Sequence, residues 1–471
     1  MEYNKYRIKG LSQARFWDEI CKAYDHIGVA PDEEEIEPDQ DLDQLAARES
    51  INILTAEERA QVPFTIVDRY MAWAKTRTDA NSRYQQAAFM TVLANIFGEY
   101  GLTSTKHEAA YLNLWFMVLG GTTQSRKSTV RRMMLRMLAH LTESNDDHIY
   151  DLGSEATSEG LHAELLSRGE DGFARSSLYQ KDEVQGHKDV QKTKQYMAGF
   201  DAMMTELYDG LVPGRLRAGQ RSKPCETVFH AYMTGIESDV HRSYTVSDFG
   251  NGHLARFLFV RADPPSLTRD STRIEQVDEE DEDFDARLGR DYDLILDEIR
   301  KARAWWEHDH GITPGKQVRI YWEDDAWEKL NEIRYNVLLW ADGLSLKEIV
   351  VPTVQRSLNA MLKMATILAM VDRSQRVAMR HLYRAALILE ECLGDMMTII
   401  KGCSATSRDR ILDSLEADIA AAGAKGVSGK ALYHAYRGKV GNYKQFNEHM
   451  IDLRASGTIM WDGNKAKSKL V

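Results

Sequence analysis

Lys127, Ser128 and Thr129 stand where phosphate chemistry would need them. They close the run Gly121-Thr122-Thr123-Gln124-Ser125-Arg126-Lys127-Ser128, which follows Gly120 and an apolar stretch from Leu112 to Leu119. Apolar residues at helical spacing come next, at Val130, Met133, Met134, Met137 and Leu138. Strand, Gly-rich loop, Lys-Ser and helix together make a phosphate-binding loop. Its backbone N–H groups and the helix N-terminus would face the phosphates. Lys127 would neutralise the β- and γ-phosphates, and the Ser128 hydroxyl would help hold Mg²⁺. Gly120 to Thr129 is thus the expected ATP site. The pattern departs from G-x-x-x-x-G-K-[ST] at one place, where Arg126 replaces the second glycine. Arginine there either forces another backbone path or reaches the phosphates itself. The plainer alternative is a strand-to-helix turn that contains Gly-Gly and Lys-Ser by coincidence.

A nucleoside triphosphatase also needs an acidic motif at a neighbouring strand end. Asp182-Glu183, in Leu-Tyr-Gln-Lys-Asp-Glu, meets that need. Asp182 would share Mg²⁺ with Ser128, and Glu183 would polarise the attacking water. Taken alone, such a pair is an ordinary solvated surface. Thr234 closes the apolar strand Thr227–Met233 and is the candidate γ-phosphate sensor. Arg256 stands between Leu254 and Phe257, at the start of a strand expected over Ala255–Arg261. It is either an ion-pair member or a finger for a neighbouring subunit's γ-phosphate. Between Val212 and Cys225 lie Arg215, Arg217, Arg221 and Lys223 and no acid. With turns at Pro213-Gly214 and Gly219, this reads as a β-hairpin with a basic face for a nucleic-acid backbone or a neighbour's nucleotide, or as an exposed loop.

The ordered set YLNLWFMVLGGTTQSRKST, EATSEGLHAELL, LYQKDEVQG, MTELYDG and NGHLARFLFV resembles an uncharacterised ATPase domain of phage, prophage and plasmid primase-helicase proteins. Members often carry Arg-Lys in place of Gly-Lys. The domain is AAA+-like and similar to MCM-type replicative helicases. The resemblance spans roughly Phe64 to Ile400. It implies an α/β fold, an AAA+-like P-loop core with a helical collar and a helical lid. It also implies a homo-oligomer, most simply a hexamer, acting on single-stranded or forked DNA. Leu254-Ala255-Arg256-Phe257 takes the place of the trans-finger motif, Val212–Cys225 that of the pore hairpin, and Arg356 that of a second sensing arginine.

The elements that must position these residues follow from periodicity. Residues 1–62 hold a helical pattern (Phe16, Trp17, Ile20, Tyr24) and an acidic linker, Pro31–Asp43. Residues 63–111 form the collar, with helices around Phe64–Ala74 and Ala87–Phe97. Residues 112–263 form the core, including a strand at His148–Leu152, a helix capped by Thr157 and a long helix over Val190–Tyr208. Residues 264–316 are an acidic linker and a helix from Tyr292, and 317–403 are the lid. Residues 404–471 read as three helices and a hairpin, a winged helix. From Lys425 onward nine Lys/Arg stand against three acids, which suggests a DNA-contacting face with Lys444 in the recognition helix, or a protein-contacting winged helix.

Composition bounds the rest. The chain is 43% hydrophobic and 28% charged, with net charge −12, which argues against a uniformly basic coat but not against a local groove. The 4 cysteines form no C-x-x-C pair and suit a reducing cytoplasm. No apolar run approaches spanning length, and no signal-peptide core is visible, so no membrane partner is expected. No primase motif is visible, which puts any primase or replication partner on another chain. The leading expectation is a DNA helicase of a phage or mobile element. The alternatives are an ATP-driven protein-remodelling, packaging or defence motor, and a nucleotide-binding DNA scaffold in which Arg126 has spoiled hydrolysis.

Overall fold

A computed structural model describes residues 51–104, 109–121, 126–142, 150–152, 157–184, 199–214, 216–217, 220–262, 282–344, 346–404, 412, 415–416, 418–420, 422, 426–440, 443–455, 459–461 and 465–468. Two compact units divide the chain, Met1–Arg48 and Glu49–Val471. The first lies outside the described residues, with the helix and acidic linker expected there. The second opens with helices α1 (Ala56–Ala60), α2 (Ile66–Lys75) and α3 (Ser82–Phe97), then strands β1 (Gly101–Ser104), β2 (Ala109–Tyr111) and β3 (Trp115–Leu119). Next come α4 (Lys127–Thr142), β4 (Tyr150–Asp151), α5 (Ser158–Arg168), β5 (Arg175–Lys181) and α6 (Phe200–Tyr208). Short strands β6 (Leu211–Val212), β7 (Leu216–Arg217) and β8 (Gln220–Arg221) precede the long β9 (Cys225–Gly235). Helices α7 (Glu237–Ser243) and α8 (Val246–Gly250) then lead to β10 (Leu258–Arg261).

β3 is apolar throughout and wholly buried, as a strand covered on both faces must be. It lies between β10 and β9 in a parallel sheet of order β10-β3-β9-β5-β4, with β6 antiparallel beside β9. The registers Leu119↔Gly235, Lys181↔Met233 and Arg261↔Leu119 bring four carboxyl ends to one edge. Gly120, Asp182 and Thr234 are carried to that edge together. The fold is therefore mixed α/β with a parallel sheet. α3 is buried along almost its whole length and packs against the sheet and α4.

The second half continues with α9 (Glu282–Ala304), a π turn at Trp305–Asp309, β11 (Val318–Trp322), α10 (Asp324–Asp342), α11 (Lys347–Val371), β12 (Arg376–Val377) and α12 (Met379–Ser404). β11 is parallel to β1, which gives a second sheet of order β12-β11-β1-β2. The collar and the later helices thus share backbone pairing. One apolar cluster runs from Leu54 to Cys403, and a separate one from Leu415 to Ala466. The latter joins Leu415 and Ile419 to residues of β13 (Val427–Ser428), α13 (Gly429–Val440), α14 (Tyr443–Ala455), β14 (Ile459–Trp461) and β15 (Lys465–Ser468), whose strands form a sheet β13-β15-β14.

Three local expectations change. Leu254–Arg256 is a 3-10 turn rather than the start of a strand, because Phe257 N–H reaches back to Leu254 O at 3.0 Å. The helix ending in Tyr208 begins only at Phe200, after Gly199 in left-handed backbone at φ 80°; residues 190–198 lie outside the described residues. The helix expected from Tyr292 already begins at Glu282, inside the acidic run.

Glu99 ties the strand that delivers Asp182 to the end of α3. Its Oε1 accepts the Ser176 N–H at 2.8 Å, and its carbonyl accepts Gly315 N–H at 2.9 Å. Burial pushes its pKa up from 4.5 to about 8, against the Ser176 hydrogen bond and the charges of Arg175, Arg168 and Arg303. A raised folded pKa favours the protonated fold, so that stabilisation is complete below about 4.5 and is lost as pH rises through about 8. Glu99→Gln keeps the shape without the titration. In urea denaturation it should match the parent near pH 4 and exceed it by about 4–5 kcal/mol above pH 8. An unchanged pH dependence would show that Glu99 is not the titrating group.

Candidate functional site

Lys127 is the first residue of α4, and its side chain folds back over the loop it ends. Nζ donates to the carbonyls of Gly120 at 2.9 Å and Gly121 at 2.6 Å. Burial lowers its pKa, and the charge of Asp182 opposes that shift. Ser128 and Thr129 follow on the same first turn. Thr122, Thr123, Gln124 and Ser125 lie outside the described residues. Arg126 has φ 54°, the left-handed backbone a glycine adopts without strain. An L-residue held there costs about 1–2 kcal/mol. The main chain therefore takes a glycine's path, and only the side chain is new. Its Nε lies 3.0 Å from Asp79 Oδ1, in the turn between α2 and α3.

Asp182 is where three elements meet. Ser128 Oγ, from α4, donates to Oδ2 at 3.1 Å, and Thr234 Oγ1, from β9, donates to Oδ1. Arg131, one turn along α4, puts Nη2 3.6 Å from Oδ2. Burial raises the Asp182 pKa, but the Thr234 and Ser128 hydrogen bonds and the Arg131 charge outweigh it and hold the carboxyl below its ordinary value. Glu183 lies one residue beyond, exposed, in left-handed backbone at φ 55°. The oxygens of Ser128 and Asp182 form a hard pair of the kind that a magnesium ion takes from protein. Among the described residues no group of three or more His, Cys, Asp or Glu could hold a metal by itself. A cation here would need oxygens from a ligand or water as well.

Two partners escaped the sequence reading. Arg131 donates to Gln180 Oε1, and Gln180 Nε2 donates to Asp151 Oδ2 at 2.9 Å, so α4 is tied to the carboxyl end of β5, and β5 in turn to that of β4. Its spacing from Lys127 puts it on the same helix face, which was a usable signal. Asp79 reaches Arg126 across a long sequence separation, and nothing local marks it.

The remaining candidates lie elsewhere. Arg256 is close to the amino end of β3, and the strand itself is about 13 Å long at ~3.3 Å per residue. Its Nη2 lies 3.0 Å from Asp209 Oδ2, and Nη1 donates to Gly252 O at 2.8 Å. Its guanidinium is 5.4 Å from the centroid of the Tyr208 ring, whose centroid is also 4.1 Å from Lys363 Nζ. Lys363 is fully buried, donates to Asn113 Oδ1 at 2.8 Å, and is held down to about 7 by burial. Arg356 stands nearby, its charge felt at Tyr208. The basic segment is a hairpin, with Leu216↔Arg221 and Arg217↔Gln220 paired above the β6–β9 base. Arg215 lies outside the described residues, and Lys223 is exposed. Lys444 is exposed on the first turn of α14 beside Tyr443.

No protein-family model matches the chain, and no curated protein matches it.

Thr234→Val keeps the shape of a fully buried side chain and removes one donor to a charged acceptor. The cost should be about 1–2 kcal/mol, at the low end for a charged partner because Asp182 is 35% exposed. In an Asp182→Asn background that cost should shrink, since the two residues act through one contact. Additive losses in chemical denaturation would mean that the contact contributes nothing.

Proposed function

We propose that this chain is an ATPase with an AAA+-like P-loop core, and that it works as a hexameric ring moving along DNA as a replicative helicase of a phage or mobile element. The observation that carries the reading is the convergence of Lys127, Ser128, Asp182 and Thr234 at one carboxyl edge of a parallel sheet. Ligands of open parallel sheets bind at such edges. Lys127 would supply the phosphate counter-charge, and Ser128 and Asp182 would hold Mg²⁺. The metal, once bound, would neutralise phosphate charge. Thr234 fixes the Asp182 carboxylate, and Glu183, at the exposed lip of the edge, polarises the attacking water.

The DNA part of the proposal rests on two features. The basic hairpin from Val212 to Cys225 would face the backbone of a strand in the ring's pore, with Arg215, Arg217, Arg221 and Lys223 as contacts. The closing helices and three-stranded sheet support a winged helix, with Lys444 in its recognition helix. Among the described residues no helix is long and apolar enough to cross a membrane.

Steady-state ATPase assays with and without single-stranded DNA test this directly. Turnover should rise several-fold with DNA. Lys127→Ala should lose ATP binding, and Glu183→Gln should bind ATP and trap it unhydrolysed. Turnover indifferent to DNA would point to a motor acting on protein, and no turnover at all to a DNA-binding scaffold.

Arg256 tests the ring. As a finger for the neighbouring site, its loss should leave ATP binding intact and slow hydrolysis by about 10³-fold or more. Mixing Arg256→Ala with Lys127→Ala subunits should restore part of the activity, because some interfaces regain both groups. The pairing with Asp209 sets the opposing outcome: a lower melting temperature and no rescue on mixing would make Arg256 a structural ion-pair member.

A further inference from the structure

We propose that Arg126 is a phosphate-binding residue of the Gly-rich loop, and that Asp79 is the counter-ion it leaves when nucleotide binds. The proposal deepens the nucleotide reading and rests on it. Arg126 immediately precedes Lys127, and its carbonyl accepts the N–H groups of Thr129 at 3.0 Å and Val130 at 3.1 Å. Its backbone is therefore fixed at the start of α4, beside the lysine that faces the loop. The left-handed φ of 54° means that glycine would hold the same backbone more easily. What arginine adds at this position is a guanidinium.

That guanidinium is held by a contact suited to exchange. Nε lies 3.0 Å from Asp79 Oδ1, and the two side chains are 53% and 52% exposed. Ion pairs this exposed are weak and screened. A triphosphate offers more charge and a planar pair of oxygens that matches the arginine fork. Exchange of one carboxylate for the phosphates is thus downhill.

Asp79 is itself a placed residue. Ala80 N–H donates to Thr78 Oγ1 at 3.1 Å on one side, and Asn81 Oδ1 caps α3 through Arg83 N–H at 2.9 Å on the other. An acid fixed beside a phosphate site works against anion binding unless a cation covers it. While Arg126 is on Asp79, the site lacks one cation. When Arg126 leaves, the released carboxylate remains as a penalty. Asp79 thereby sets how tightly the site holds nucleotide.

The test measures binding of the non-hydrolysable triphosphate AMP-PNP with Mg²⁺ by calorimetry, alongside melting temperature. Arg126→Gly should weaken binding about tenfold, which corresponds to about 1.4 kcal/mol, without lowering the melting temperature. A residue with only a structural role would lose both together. Arg126→Lys should recover part of the affinity. Asp79→Asn should tighten binding about threefold in the parent and by less in Arg126→Gly, where only the repulsion of the carboxylate is relieved and not the competition for the guanidinium. Unchanged or tighter binding by Arg126→Gly, or weaker binding by Asp79→Asn, would overturn the proposal while leaving the nucleotide reading intact. Failure of the parent chain to bind, with Lys127→Ala no different, would overturn that reading and this one with it.

Discussion

The Asp182 carboxylate is the point on which the site depends. It receives hydroxyls from α4 and β9 and stands beside a guanidinium from α4. A charge at the end of a buried strand is costly unless it is hydrogen-bonded and paired. Here the compensation comes from different elements, so α4, β5 and β9 cannot shift independently. The Gly-rich loop is bound to this arrangement at its far end, because Lys127 begins the same helix and turns back to Gly120 and Gly121.

This edge is shaped by the rest of the sheet. β3 and β9 can lie side by side because both are buried along almost their full length. The aligned registers then bring Leu119 level with Gly235, so that Gly120 and Thr234 reach the same edge. β5 is the polar member, and its serines, Tyr179 and Gln180 are buried against neighbours that hydrogen-bond them or cover them. Glu99 at its amino end and Arg131 at its carboxyl end show how such a strand is retained inside an apolar layer.

Much of this was legible in the sequence where a period and a punctuation mark coincide. The apolar run before Gly120 and the helical spacing after Lys127 gave strand and helix with the loop between them. Thr157 was readable as a cap, and its Oγ1 accepts Gly160 N–H at 3.0 Å. Asp182 followed from the order of elements. What could not be read depends on distant partners. β1, β2 and β12 are short and of mixed polarity; β1 and β12 become strands by pairing with β11, and β2 by pairing with β1. The first turns of α9 are too acidic to show an apolar stripe. Arg256 is the last residue of a turn closed between Leu254 and Phe257, and its partner Asp209 lies just past the end of α6. The Arg126 backbone could be suspected from the missing glycine, but its partner Asp79 could not.

The pairing of Gly101–Thr103 with Val318–Ile320 has a practical consequence for anyone dividing the chain. A fragment stopped before residue 318 would keep the whole parallel sheet, yet leave one side of β1 with its amide and carbonyl groups unpaired. Bare strand edges of that kind recruit other chains and precipitate. The same pairing closes a loop of more than two hundred residues, so it forms late during synthesis, after most of the polypeptide has emerged. Until then the nascent chain carries an open seam, and β11 is the piece that seals it.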